Sequence, residues 1–117
     1  MEYISYEQFK KMDIRIGTIR EVEAVPETEK LLKCQIDFNE TNEEGEVVLR
    51  QIVSGLHEYY PDPQILVGKQ VLYILNLEPR TIKGVESMGM LMAVDGLDGR
   101  PVLLVPEFTV GVGSRVK

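Results

Sequence analysis

The stretch Asp13 to Val25, DIRIGTIREVEAV, alternates apolar and polar residues and then slips phase at Gly17. Ile14 and Ile16 share one phase, Ile19 is out of register with Ile16, and Val22 is out of register with Ile19. A period of two marks a strand with one buried face. A slip at a glycine marks a bulge or a sharp coil. A strand this long and this bent does not suit a flat sheet; it is the device by which a small barrel bends its first strand. Pro26 ends it, and PETEKL follows as a polar loop.

The rest of the chain agrees. Residues 5–12 (SYEQFKKM) read as a short helix, with Ser5 and Gln8 spaced as a capping box and Tyr6, Phe9 and Met12 on one face. Leu32 to Phe38 alternates cleanly, with Leu32, Cys34, Ile36 and Phe38 inward. NETNEEGE is a turn, and Val47 to Val53 is the return strand of a hairpin. Pro61 and Pro63 restrict residues 56–66 to a helical turn or two. Gln70 to Leu75 (QVLYIL) reads as a buried strand, Met88 to Val94 as another, and Val102 to Val105 as a short one. The expected fold is all-β: a five-stranded OB barrel with a short N-terminal helix and a short C-terminal β extension, one domain over 1–117. Such a barrel presents its strand 2–3 face and its 1–2 and 4–5 loops to oligonucleotides. Here those loops are PETEKL and LEPRTIKGVESMG.

The second loop belongs to the most distinctive stretch, Asn76 to Met90, NLEPRTIKGVESMGM. It carries Arg80 and Lys83, then Ser87 and Met90 in an S-x-G-M pattern. Arg grips phosphate bidentately or stacks on a base, Lys adds a point charge, and a thioether offers a soft apolar surface to an unstacked base. Lys33 faces outward on the second strand, where a cation can meet a phosphate oxygen. Arg50 and Gln51 are weaker candidates. The bland alternatives are a solvated loop, a turn-forming Asn76, a core Met90 and a Ser87 bonded to its own turn.

Net charge is −6, which at first argues against a polyanionic partner. Five carboxylates, however, fall within residues 37–46 (Asp37, Glu40, Glu43, Glu44, Glu46), and without them the chain stands at −1. Charges within a Debye length, roughly 8 Å at physiological salt, matter more than the sum. The single cysteine, Cys34, excludes an internal disulfide, fits a reducing cytoplasm and reads as a packed strand residue. With one histidine, His57, and no metal-ligand spacing, no metal site, cofactor or catalytic constellation emerges. No run approaches the ~20 apolar residues of a membrane span.

DIRIGTI, P-x-x-E-K-L-L-K, RQIVSGL, LVGK and NLEPRTIKGVESMGM together resemble the tRNA-binding domain of the methionyl-tRNA synthetase C-terminus. That domain also occurs in EMAP II-like proteins, in free-standing tRNA-binding proteins and in the chaperone-like CsaA. The resemblance covers about residues 9–117. RQIVSGL and S-x-G-M look closer to the synthetase branch than to CsaA. The resemblance implies an OB fold that binds tRNA by shape, commonly as a homodimer. Carried over by motif, Asn76, Ser87, Met90 and Lys33 would contact RNA, and Arg80 and Lys83 join them on charge. A chain starting at Met1 and ending soon after the barrel reads as free-standing, assisting a methionyl-tRNA synthetase catalytic chain in trans. The competing expectation is CsaA-like binding of extended peptide in the same groove. The apolar tail (Leu103, Leu104, Val105, Phe108, Val110, Val112) fits burial in a two-fold dimer.

Overall fold

The structure is a computed structural model that describes all residues 1–117. One α-helix, α1 (Tyr6–Lys10), precedes nine strands: β1 (Ile14–Ala24), β2 (Leu32–Thr41), β3 (Val47–Ser54), β4 (Gln70–Ile74), β5 (Arg80–Ile82), β6 (Val85–Ser87), β7 (Met90–Leu91), β8 (Ala93–Asp95) and β9 (Pro101–Leu103). Two 3-10 turns, His57–Tyr59 and Pro63–Leu66, occupy the proline-limited stretch. No helix is long and apolar enough to cross a membrane.

The helix is held at its start by the capping box, in which the Gln8 N–H donates to Ser5 Oγ (3.0 Å) and the Ser5 N–H to Gln8 Oε1 (2.8 Å). Five strands then form one antiparallel sheet in the order β3-β2-β1-β4-β7. β1 is the shared strand. Its first half, Ile14 to Thr18, pairs with β4, and Thr18 to Ala24 pairs with β2. Changing partners at Thr18 curls the sheet into an OB-type barrel. Near the ring's far side, the Met88 N–H donates to the Gln51 carbonyl (2.8 Å).

The first strand corrects one expectation. Pairing through Gly17 is continuous; the register shift lies between Ile19 and Glu21, so Arg20 is the bulged residue. Gly17 serves close packing instead. A Cβ there would sit 2.5 Å from Ile36 Cγ2 and 2.5 Å from Phe38 Cε1. No side chain fits between β1 and that core layer.

The inward row of β2, Leu32, Cys34, Ile36 and Phe38, is buried as its alternation predicts, and joins Ile19, Ile52, Leu66, Val71 and Tyr73 in one core. Phe38 meets Tyr73 edge-on with ring centroids 5.3 Å apart. Burial pushes the Cys34 thiol up to about 11, against a weaker opposing pull from the Ser54 hydroxyl, so Cys34 is a packed, un-ionised thiol.

The expected strand Met88–Val94 is broken in two. β7 pairs with β4, while β8 pairs with β9. Met92 lies between them; its N–H donates to Leu72 O (3.0 Å), and its carbonyl accepts from Leu104 N–H (3.2 Å). The tail folds back along β1. Gly113 N–H donates to Ile16 O, Ile16 N–H to Ser114 O and Val116 N–H to Ile14 O, all within 2.8–2.9 Å. Of the apolar tail, Leu103 packs against the core, whereas Val105, Phe108 and Val110 remain exposed, Phe108 at 75%.

Candidate nucleic-acid interface

Residues 76–90 are more ordered than a loop. β5 and β6 form a small hairpin, pairing Arg80 with Ser87, Thr81 with Glu86 and Ile82 with Val85. Lys83 (φ 51°) and Gly84 (φ 79°) make its turn, with the two positive φ values that a type I′ turn requires. Three residues a side are too few for an alternation to be read from sequence. Arg80, Ile82, Val85 and Ser87 share one face of this hairpin, and Thr81 and Glu86 the other.

The first face lies against β3. Ser87 is 4% exposed, and its Oγ accepts from the Val53 N–H (2.9 Å) and donates to the Gly89 carbonyl (3.0 Å). Gln51 reinforces the join by donating from Nε2 to Glu86 O (2.8 Å). A depression of about 60 Å³ remains, floored by Val53, Ser87 and Gly89 and walled by Leu77, Arg80 and Met90. It is far below the roughly 300–1,000 Å³ of enclosed ligand sites, so it suits an edge laid on a surface.

The candidate residues divide by what already holds them. Arg80 and Lys83 are exposed and have no ion pair or side-chain hydrogen bond. Met90 is 51% exposed at the rim. Lys33 stands directly across from Glu23 and Val53 on neighbouring strands, hence on the same outer face, and its Nζ is paired with Glu23. Asn76 is a staple: its Oδ1 accepts from Asp13 N–H (2.8 Å) and its Nδ2 donates to Lys11 O (2.6 Å). The structure thus brings Lys33, Arg80, Ser87 and Met90 to one face, sets Lys83 at the hairpin tip and Asn76 at the strand end.

Two features escape the sequence. Glu78 and Glu86 offset the charges of Arg80 and Lys83, so the local field depends on arrangement; Glu78 lines the depression, but Glu86 is on the opposite hairpin face. Arg50, a weaker candidate for contact, is a clamp. It binds Glu40 through two N–H groups (2.9 and 2.7 Å) and donates from Nη1 to Leu75 O (3.2 Å) and Met88 O (2.9 Å). Its hydrogen bonds to Glu40 raise its already high pKa. No local motif signals partners that lie 10 to 38 residues away.

Residues 14–115, nearly the whole barrel, match the family model of the tRNA-binding domain. The chain belongs to that family. This tRNA-binding domain is 44% identical over 116 residues to a methionine–tRNA ligase of Porphyromonas gingivalis, covering 99% of the chain but 16% of the ligase. It therefore spans about one sixth of that curated relative. Among solved structures, a methionyl-tRNA synthetase-related protein from Pyrococcus horikoshii superposes with a TM-score of 0.84 at 35% identity, with both chains covered completely. The chaperone CsaA from Bacillus anthracis superposes with a TM-score of 0.79 at 25% identity, covering 99% of this chain and 100% of CsaA.

Proposed function

We propose that residues 1–117 act as one non-catalytic unit that binds tRNA by shape, in a salt-sensitive manner, on the face bearing the β5–β6 hairpin. The carrying observation is that Arg80 and Lys83 stand exposed and without a counter-ion on one small hairpin, whereas the other candidate cations, Lys33 and Arg50, are ion-paired. Phosphate contacts from these two cations supply affinity, and Met90 with Leu77 offers an apolar surface to an unpaired base. The domain works in the cytoplasm, and its likeness to synthetase sequences supports a methionyl-tRNA synthetase catalytic chain as the partner assisted in trans. The exposed apolar side chains Val94, Val102, Val105, Phe108 and Val110 support a homodimer, whose mass light scattering measures directly.

The test is a salt titration of tRNA binding, against single-stranded RNA of equal length. Folded tRNA should bind tighter, and changing Arg80 and Lys83 together to Ala should flatten the salt slope by about 1.5–2 units. Unchanged affinity in that variant would remove the hairpin from the RNA site. The likeness to CsaA, with exposed Leu77 and Met90, favours the second reading: peptide bound in the same groove. Peptide binding that ignores salt, with no tRNA binding, would select it.

A further inference from the structure

A second surface, away from the hairpin, has the composition of a nucleotide site. The tail packs back on β1 with Arg115 bridged to Arg15, and this leaves a cleft of about 290 Å³ between the tail and α1. That is near the lower end of the range for ligand pockets, roughly 300–1,000 Å³. Its apolar lining is Tyr6, Phe9, Met12 and Val116, and its polar lining is Lys10, Arg115 and Lys117. No Asp or Glu side chain lines it. In a protein of net charge −6, three cations around an aromatic-lined cleft are charge-complementary to an anion that carries a flat apolar group.

The parts are set for that use. Tyr6 is 68% exposed, and its ring centroid lies 6.5 Å from that of Phe9, with the planes tilted by 32°. Lys10 Nζ stands 5.2 Å from the Tyr6 ring centroid, and its ion pair with Glu7 is long (3.7 Å) and solvent-exposed. Such a pair contributes little and yields readily to a phosphate. The Arg115 guanidinium is anchored by donation from Nη2 to Lys10 O (2.8 Å) and Met12 O (3.4 Å), while Nη1 makes no hydrogen bond within the chain. A second acid, Asp13, is bonded to Arg15 at 2.7 Å and makes a longer ion pair with Arg115 Nε at 3.8 Å. An anchored guanidinium with free donors loses little freedom when it binds a phosphate.

We infer that this cleft takes one unpaired nucleotide of a bound RNA, its base against Tyr6 and Phe9 and its phosphate among Lys10, Arg115 and Lys117. The inference rests on the RNA-binding reading. It extends that reading to a second contact, joined to the first through Asn76, which is bonded to Lys11 and Asp13 at the cleft's edge.

The test uses the full chain in three arms: tRNA titration of Tyr6→Ala and Lys10→Gln, amide-shift mapping with a single-stranded oligouridylate, and light scattering of each variant. Both side chains are exposed, so neither change removes core. Tyr6→Ala should weaken tRNA binding about 5- to 100-fold, the scale of one base–aromatic stack. Lys10→Gln should lower the salt slope by about one unit. The oligouridylate should shift amides in residues 6–12 and 114–117. If wild type binds tRNA and both variants bind it equally well, the cleft is overturned while the tRNA-binding reading stands. If tRNA fails to bind but the oligouridylate shifts those amides, the cleft stands and the tRNA reading falls. If neither binds, both fail. A Tyr6→Ala chain of altered mass would make the cleft a contact between copies and overturn the inference.

Discussion

Ser87→Ala separates a serine that touches RNA from one that holds the β5–β6 hairpin in place. The hydroxyl is buried, accepts the Val53 N–H at 2.9 Å and donates to Gly89 O at 3.0 Å. Removing it strands a buried backbone donor, which costs about 1–3 kcal/mol. At about 2.1 cal/mol/K per residue, the 117-residue chain has an unfolding entropy near 0.25 kcal/mol/K. A loss of about 2 kcal/mol should therefore lower Tm by roughly 8 °C. No charge is removed, so the salt slope of tRNA binding should stay at its wild-type value. Calorimetry gives the first quantity, and a salt titration run well below both melting temperatures gives the second. A variant that melts within a degree of wild type yet binds tRNA at least tenfold more weakly would refute the reasoning. The hydroxyl would then serve RNA rather than Val53.

Three further outcomes follow from the same geometry. Arg50→Met should cost about 2–3 kcal/mol, less than for a fully buried pair because Arg50 and Glu40 keep some exposure, and lower the urea midpoint by about 1–2 M; an unmoved midpoint would show that the clamp holds nothing. Gly113→Ala should release the tail, since Gly113 has φ +85° and an added Cβ would collide with the Phe38 carbonyl. Faster hydrogen exchange at Ile16 and Val116 would report this, and unchanged protection would contradict it. The Cys34 thiol has an ordinary pKa of 9.0 and is held near 11 in the fold, so the unfolded chain loses its proton first as pH rises. Stability from this group is complete below pH 9 and is lost between about pH 9 and 11, by roughly 2–3 kcal/mol. Denaturation at stepped pH should show that fall, and Cys34→Ala should flatten it; an equal fall in the variant would assign it to other groups, Tyr73 among them.

The site was legible in kind more than in role. Arg80, Lys83 and Met90 are exposed around the hairpin, in keeping with their charge and spacing. Ser87, Asn76 and Lys33 belong to the same motifs, yet each already has partners inside the chain. A motif records that a residue type is wanted at a place; it does not say whether a ligand or the backbone wants it. The cleft between α1 and the tail was invisible for a related reason. Tyr6 and Phe9 show a helical spacing, but the cations that complete it come from about 105 positions along the chain.

By itself the sequence determined the elements whose signals are local. The alternation of Leu32, Cys34, Ile36 and Phe38 specifies a half-buried strand, Ser5 and Gln8 specify a helix start, and Pro61 with Pro63 limits a segment to short turns. The motif set specified the family. Only the tertiary structure decided that Gly17 makes room for Ile36 and Phe38 while Arg20 carries the bulge, that Arg50 ties three segments together, and that the tail lies along β1. The reason is physical. Periodicity and capping act between residues a few positions apart, whereas packing space and hydrogen-bond partners are set by whichever chain segment the curled sheet brings alongside.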